Sequence, residues 1–296
     1  MAECVHIFCA INDAYAMPLS VMLLSMERNM LQSAAVVAHV AYRRLSDRSI
    51  QMIERTVQDT SVSISWIPVD ELPFSGAKIW GHVSLESYFR LCMGDFIPRK
   101  VCKVLYLDAD LVFLGSVNEL WATPLGRHTV LAAHDVSEFS GYVSSPMAVK
   151  NFRALGIPAN QRYFNAGVMV VDLIKWRKDK VLDLCNRYMQ RFSKDINYWD
   201  QDVLNAVLWN ACGEIDYRWN VAAGAVIDYP NMASPPFDSL SFAKMIDEAK
   251  IYHFSTSEKP WHLNYDHPRR ELFLSYFQET PWVHDAAFAH LLIDSQ

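Results

Sequence analysis

The run Lys103-Val104-Leu105-Tyr106-Leu107-Asp108-Ala109-Asp110 constrains this chain more than any other stretch. Four apolar residues in succession read as a strand buried on both faces. That is the pattern of a central strand in a parallel sheet, and ligands bind where such strands end. This one ends in two carboxylates at i and i+2, which an extended chain points to the same side. Paired acids at a buried strand end are costly unless a positive charge lies between them. A divalent cation carrying a diphosphate meets that requirement.

The segments around this strand fit an α/β domain. Val5 to Ala10, Val36 to Tyr42 and Val62 to Val69 read as strands, separated by helices at Pro18 to Met30 and Ile50 to Gln58. Strand, helix, strand, helix, strand is the pattern of right-handed parallel crossovers. His82 to Cys92 reads as a helix with Ser84 as its cap. Leu131 to His134 is another short buried strand that ends in an acid, Asp135. Phe139 to Arg162 has no period and reads as an irregular insertion. Phe164 to Val171 returns to a strand, Trp176 to Phe192 to a helix, and Asp202 to Trp209 to a helix with Asp202 as N-cap. Ile251 to His253 is the last short strand. One domain over residues 1–265 is expected, with a helical or irregular extension over 266–296.

Charge and cysteine usage narrow the partners. A net charge of −6 without any Lys/Arg-rich stretch argues against nucleic-acid binding. The six cysteines form no C-x-x-C pair and no zinc spacing with histidine, which fits a reducing cytosol. No basic leader and no apolar stretch of membrane-spanning length is read, so a cytoplasmic protein is expected.

Taken alone, a D-x-D is better explained by a strand ending in turn or capping acids. Three further elements change the balance. His253 closes its strand, and alone it reads as a strand-end histidine bonded to backbone. If Ile251 to His253 lies beside the acid-tipped strand, it completes with Asp108 and Asp110 an oxygen–oxygen–nitrogen donor set that favours Mn²⁺ over Mg²⁺ or Ca²⁺. Lys259, in Lys259-Pro260-Trp261, follows within one loop and is placed to meet a phosphate oxygen. Tyr163-Phe164-Asn165-Ala166-Gly167-Val168 offers a small pair that permits close backbone approach, and Asn165 offers donor and acceptor to hydroxyls; a β-bulge explains the small pair equally well. Asp200-Gln201-Asp202 sets polar side chains ahead of an apolar helix.

In order, Leu105-Tyr-Leu-Asp-Ala-Asp110, Tyr163-Phe-Asn-Ala-Gly-Val168, Asp200-Gln-Asp-Val-Leu-Asn205 and His253…Lys259-Pro-Trp261 resemble the successive motifs of glycosyltransferase family eight. The pattern is nearest to the bacterial lipooligosaccharide α-galactosyltransferases, and it runs from about Val5 to about Trp261. The resemblance implies a GT-A fold, a single Rossmann-like mixed sheet flanked by helices. It implies a UDP-sugar donor, a carbohydrate or glycoconjugate acceptor, Mn²⁺ (or Mg²⁺), and transfer of galactose or glucose with retention. By the same resemblance Asp108, Asp110 and His253 hold the metal, with Ala109 between the acids at the donor. Lys259 contacts the diphosphate, and Ala10, Asn12 and Tyr15 meet uracil and ribose. Arg90 lies near the donor sugar, and Asp135, Asn165, Ala166, Asp200 and Gln201 bind it, Gln201 near the anomeric carbon. Asp135, Asp200, Gln201 and Arg90 are the expected catalytic group, working by same-face attack because an amide is a poor nucleophile.

Three positions depart from the family pattern. Asn12 and Ala14 stand where aspartate and asparagine are usual, and Thr256 where a glycine is usual. The tail from Trp282 to Gln296 is acidic and lacks a basic, aromatic extension, so membrane association is expected to be peripheral at most, at the inner face. Two rivals stand beside this reading. A metal-dependent nucleotidyltransferase would show a Gly-rich basic loop after the first strand, and Ile11-Asn12-Asp13-Ala14-Tyr15 has neither glycine nor cation. A UDP-sugar-binding protein without turnover would keep the metal residues and lose the chemistry.

Overall fold

The computed structural model describes residues 4–31, 34–71, 73–74, 84–136, 141–232, 237–263 and 269–293. Its main sheet has seven strands in the order β3-β2-β1-β4-β7-β6-β8. These are β1 (Cys4–Ile11), β2 (Ala35–Tyr42), β3 (Val62–Pro68), β4 (Lys103–Leu107), β6 (Val130–His134), β7 (Phe164–Asp172) and β8 (Cys212–Glu214). The first three and β4 run parallel, while β7 is antiparallel to both β4 and β6. A second sheet of three short strands has the order β5-β10-β9, with β5 at Leu111–Phe113, β9 at Val221–Ala222 and β10 at Ile251–His253. The mixed α/β architecture read from the sequence is the one observed.

The central strand is buried on both faces because alternate residues enter different cores. Leu105 and Leu107 pack with β1 residues Val5 and Ile7 and with the helix Ala16–Asn29. Val104 and Tyr106 pack on the opposite layer with Tyr88, Met169 and Trp176. The helix Ala16–Asn29 is buried almost all round, since the sheet covers one side and the C-terminal residues Phe273, Phe277 and Trp282 cover the other. Its buried serines are satisfied: Ser25 accepts from the Phe113 N–H, and Ser20 accepts from Trp282 Nε1.

Several elements differ from the sequence reading. The strand carrying the acids stops at Leu107, and Asp108 to Asp110 form the connection into β5 of the second sheet, not an extended end. His253 is therefore not beside β4; it pairs with Leu111 of β5. The helix expected over Trp176 to Phe192 is two, Leu173–Lys178 and Val181–Phe192, broken where Lys180 takes φ 51°. Asp172 caps the first from the end of β7, and Arg177 pins it to the carbonyls of Gly94, Ile97 and Val101, so the chain must turn before the second packs. Leu85–Cys92 is a 3₁₀ helix without a side-chain cap from Ser84; His82 and Val83 lie outside the described residues. Residues 141–162 are turns joined by one bridge, Tyr142 to Arg162, as the missing periodicity implied, with Phe139 and Ser140 outside the description. All six cysteines are free.

Candidate active site

The carboxyl ends of β1 and β4 open into a cleft of about 350 Å³. Asp108, Ala109, Asp110, His253 and Lys259 line its floor. Asp135, Asn165, Asp200 and Gln201 line one wall, and Ala10, Asn12 and Tyr15 the opposite end. Residues scattered over most of the sequence thus meet in one place because the sheet order reverses there: β1 is followed in space by β4, whose exit crosses into the second sheet.

Each floor carboxylate has one oxygen tied back and one facing inward. Asp108 Oδ1 accepts from Tyr106 Oη at 2.6 Å and Arg90 Nη2 at 2.9 Å, while Oδ2 lies 3.7 Å from His253 Nε2. Asp110 Oδ2 accepts from Lys259 Nζ at 2.6 Å, while Oδ1 lies 3.4 Å from His253 Nε2. Burial alone would raise the Asp110 carboxyl, but the Lys259 ammonium and His253 hold it well below the ordinary carboxylate range. The three inward atoms fall within 4.8 Å of one another. Two carboxylate oxygens and an imidazole nitrogen converging at that spacing fit a divalent cation, with the donor set of a Mn²⁺ or Mg²⁺ site.

Gly167 makes this convergence possible. A Cβ there would stand 2.4 Å from His253 Cε1 and 2.9 Å from Asp108 Oδ2. The close approach that the Ala166-Gly167 pair permits is thus that of His253 and Asp108 to the β7 backbone. The bulge alternative is also present in β7 itself: between the pairs Ala132–Met169 and His134–Phe164, one β6 residue stands opposite Asn165 to Val168.

Arg90 is buried and fully engaged. It bonds Asp108, ion-pairs with Asp200 Oδ2 at 2.7 Å, donates to the Ala166 carbonyl at 2.8 Å and lies over the Tyr106 ring. It joins the floor to the wall. Burial pushes the Asp200 carboxyl up to about 6 even against Arg90. Asp202, expected as an N-cap, is instead the fourth residue of the helix Trp199–Leu208. It reaches back to the N–H groups of Asn197 and Tyr198 and accepts from Tyr163 Oη at 2.6 Å. That bracing accompanies a left-handed Trp199, φ 46°, at the cleft edge.

Gln201 is held at both ends: Oε1 accepts from the Ala166 N–H at 2.9 Å and Nε2 donates to Asp135 Oδ2 at 3.2 Å. Ala166 itself is fully buried and does not line the cleft, so its part is played by backbone groups that hold Arg90 and Gln201. At the other end Asn12 caps a 3₁₀ turn through the Ala14 N–H, and Asp13 faces Ser46 instead of the cleft. Thr256 bonds the Glu258 carbonyl, while its neighbour Ser255 lines the cleft. The sequence reading missed the cleft-lining Ser87, Gly224 and Asp228, and also Asn220, 3% exposed, whose Oδ1 lies 2.9 Å from His253 Nδ1. The only sequence signal for Asn220 is a polar residue next to a short apolar strand, which turns supply everywhere.

A model described as Glycosyl transferase family 8 matches residues 6–264. The chain belongs to that family. General stress protein A of Bacillus subtilis (strain 168) is 27% identical over 289 residues, covering 95% of each protein. Lipopolysaccharide 1,2-glucosyltransferase of Escherichia coli is 23% identical over 95% of this chain and 80% of its own length. Among solved structures, the galactosyltransferase LgtC, crystallised with donor and acceptor sugar analogs, matches with a TM-score of 0.78 at 26% identity. The match covers 94% of this chain and 96% of LgtC. The protein is a glycosyltransferase with a GT-A fold, which removes the nucleotidyltransferase alternative. No described helix is long and apolar enough to cross a membrane.

Proposed function

We propose that this family 8 enzyme moves a hexose, galactose or glucose, from a UDP-sugar to a carbohydrate or glycoconjugate acceptor, forming an α-linkage with retention. The acceptor class follows the lipopolysaccharide-directed relative. The observation that carries the reading is the convergence of Asp108, Asp110 and His253 on the floor of the cleft. These three would hold Mn²⁺, which when bound supplies positive charge to a diphosphate leaving group. The protein's own residues do the rest. Lys259 adds a cation at the same floor, and Arg90 orients Asp108 and Asp200 in one geometry. Asp135 and Asp200 supply negative charge on the wall where the sugar ring becomes cationic. With its Oε1 engaged by a backbone N–H, Gln201 suits orientation better than covalent attack. The acceptor hydroxyl then enters on the face the diphosphate leaves, and the leaving phosphate oxygen takes its proton. Peripheral contact with a membrane surface is compatible with this acceptor class.

Incubation with Mn²⁺ and a panel of UDP-sugars, following UDP release and the anomeric proton signal of the product, tests the reading. An α-anomer with one of two hexose donors is expected. A β-anomeric coupling, or no release with any donor, overturns it.

A further inference from the structure

The orientation of the metal-site histidine is decided by a chain of three side chains that begins at a backbone group. The Gly167 N–H donates to Asn165 Oδ1 at 2.9 Å. A backbone N–H has no alternative role, so the Asn165 amide is fixed with its oxygen toward Gly167. The same oxygen lies 2.9 Å from Asn220 Nδ2. Asn220 must present its NH₂ there, because a flipped amide would set two oxygens against each other. Its own Oδ1 consequently faces His253 Nδ1 at 2.9 Å and is an acceptor. In the neutral imidazole the His253 proton is then on Nδ1, which leaves the Nε2 lone pair for a cation between it and Asp108 Oδ2 and Asp110 Oδ1. The other tautomer would place a hydrogen among the three ligand atoms.

We propose that Asn220 is a positioning residue with two separable tasks: it holds His253 in the metal-ready tautomer, and it ties that histidine to the sugar-binding wall through Asn165. The second task follows from where Asn165 leads. Its Nδ2 lies 3.5 Å from Asp135 Oδ2, the oxygen that also accepts from Gln201 Nε2. Asn220 is itself buried and outside the cleft lining, so it acts through these partners and not on the substrate. The general rule is that metal-ligating histidines donate their second nitrogen to an orienting acceptor, whose loss costs roughly ten- to a hundred-fold in metal affinity. An amide in this place, and not a carboxylate or a carbonyl, is what gives the acceptor a second, donating end. The inference rests on the proposed metal-dependent reading of the cleft.

The test separates the two tasks. Nitrogen-15 spectra of histidine-labelled, metal-free protein, taken at a pH high enough to leave the imidazole neutral, report the His253 tautomer, and calorimetry with UDP reports Mn²⁺ affinity. The wild type should show the Nδ1–H form. Asn220→Ala should lose it and weaken Mn²⁺ binding roughly ten- to a hundred-fold. Asn220→Asp, nearly isosteric, keeps the acceptor for Nδ1–H but offers Asn165 no donor. It should keep the tautomer and bind Mn²⁺ at least as tightly, yet lower kcat roughly ten-fold or more. An Nε2–H signal in the wild type overturns the proposal. So does an Asn220→Asp variant with unchanged kcat, or one that loses tautomer and Mn²⁺ affinity together. If the wild type binds UDP equally with and without Mn²⁺, the proposed function fails instead, and the tautomer spectra still judge the histidine.

Discussion

A single methyl group at Gly167 would strike the metal triad from below. The added carbon would sit 2.4 Å from a ring carbon of His253, a histidine already hemmed in at 4% exposure. The struck atoms belong to the buried His253 ring itself, so it must turn away from the carboxylates. Gly167→Ala should cost about 1–3 kcal/mol of stability, the range for overpacking a core, and weaken Mn²⁺-dependent UDP binding at least ten-fold. Melting curves and calorimetry read the two separately, and unchanged Mn²⁺ dependence would show that the triad tolerates a Cβ. Gln201 tests the wall in the same way. If its amide only positions the ring, Gln201→Ala keeps transfer reduced roughly ten- to a thousand-fold, the loss of a transition-state polar contact. Complete loss of transfer in a folded protein would instead make it an obligatory nucleophile.

At the scale of elements, legibility followed how local each cause is. The β4 strand was readable because burial on both faces demands an unbroken apolar run, and Val104 to Leu107 supply it. The mixed sheet and the Asp108, Asp110, His253 set could be read from motif order. The crossing into a second sheet at Asp108 to Asp110 was not, because three residues of β5 carry no period of their own. The break at Lys180 was equally hidden, since lysine has no preference for φ 51° and the turn is imposed by Arg177 and its carbonyls. Asp202 shows the same lesson. A polar residue ahead of an apolar helix reads as a cap, but tertiary contacts draw Asp202 inward to Tyr163. Its burial has a pH signature. Desolvation pushes the carboxyl up to about 6, against hydrogen bonds from Tyr163, Tyr198 and Asn197, from an ordinary 3.8. Between those values the folded chain holds a proton that the unfolded chain has released. The stability contributed by this group is therefore full below pH 3.8 and lost as pH rises through 6. Relative to Asp202→Asn, which cannot titrate, the wild type should lose up to about 3 kcal/mol between pH 4 and pH 7.5. Urea midpoints of both proteins across that range measure it, and a constant difference would mean the carboxyl is not buried as described.

At the scale of the whole molecule, the C-terminal segment is part of the first core and not an appendage. Phe273, Phe277, Trp282 and Leu291 are buried in the cluster that holds the helix Ala16–Asn29, and the floor of the cleft rests on that same cluster through Leu105, Leu107 and Ile251. The sequence hid this because residues after 266 show no helical period strong enough to predict which face is covered. Two kinds of contact fasten the segment, and their magnitudes differ. Arg48 pairs with the buried Asp285 at 2.6 Å, but the Arg48 side chain is 65% exposed and Asp285 keeps its hydrogen bond from the Ala287 N–H without it, so the pair is worth about 1 kcal/mol. Trp282 is 4% exposed, packs against Phe288 and bonds Ser20 Oγ at 2.8 Å across the core. Removing its ring forfeits the burial and leaves a cavity, a loss of about 3–5 kcal/mol. Trp282→Ala should therefore lower the melting temperature several-fold more than Arg48→Ala. It should also weaken Mn²⁺-dependent UDP binding near the melting range, because the cleft floor shares its core. Equal shifts for the two variants would show that surface charge, not packing, holds the segment in place.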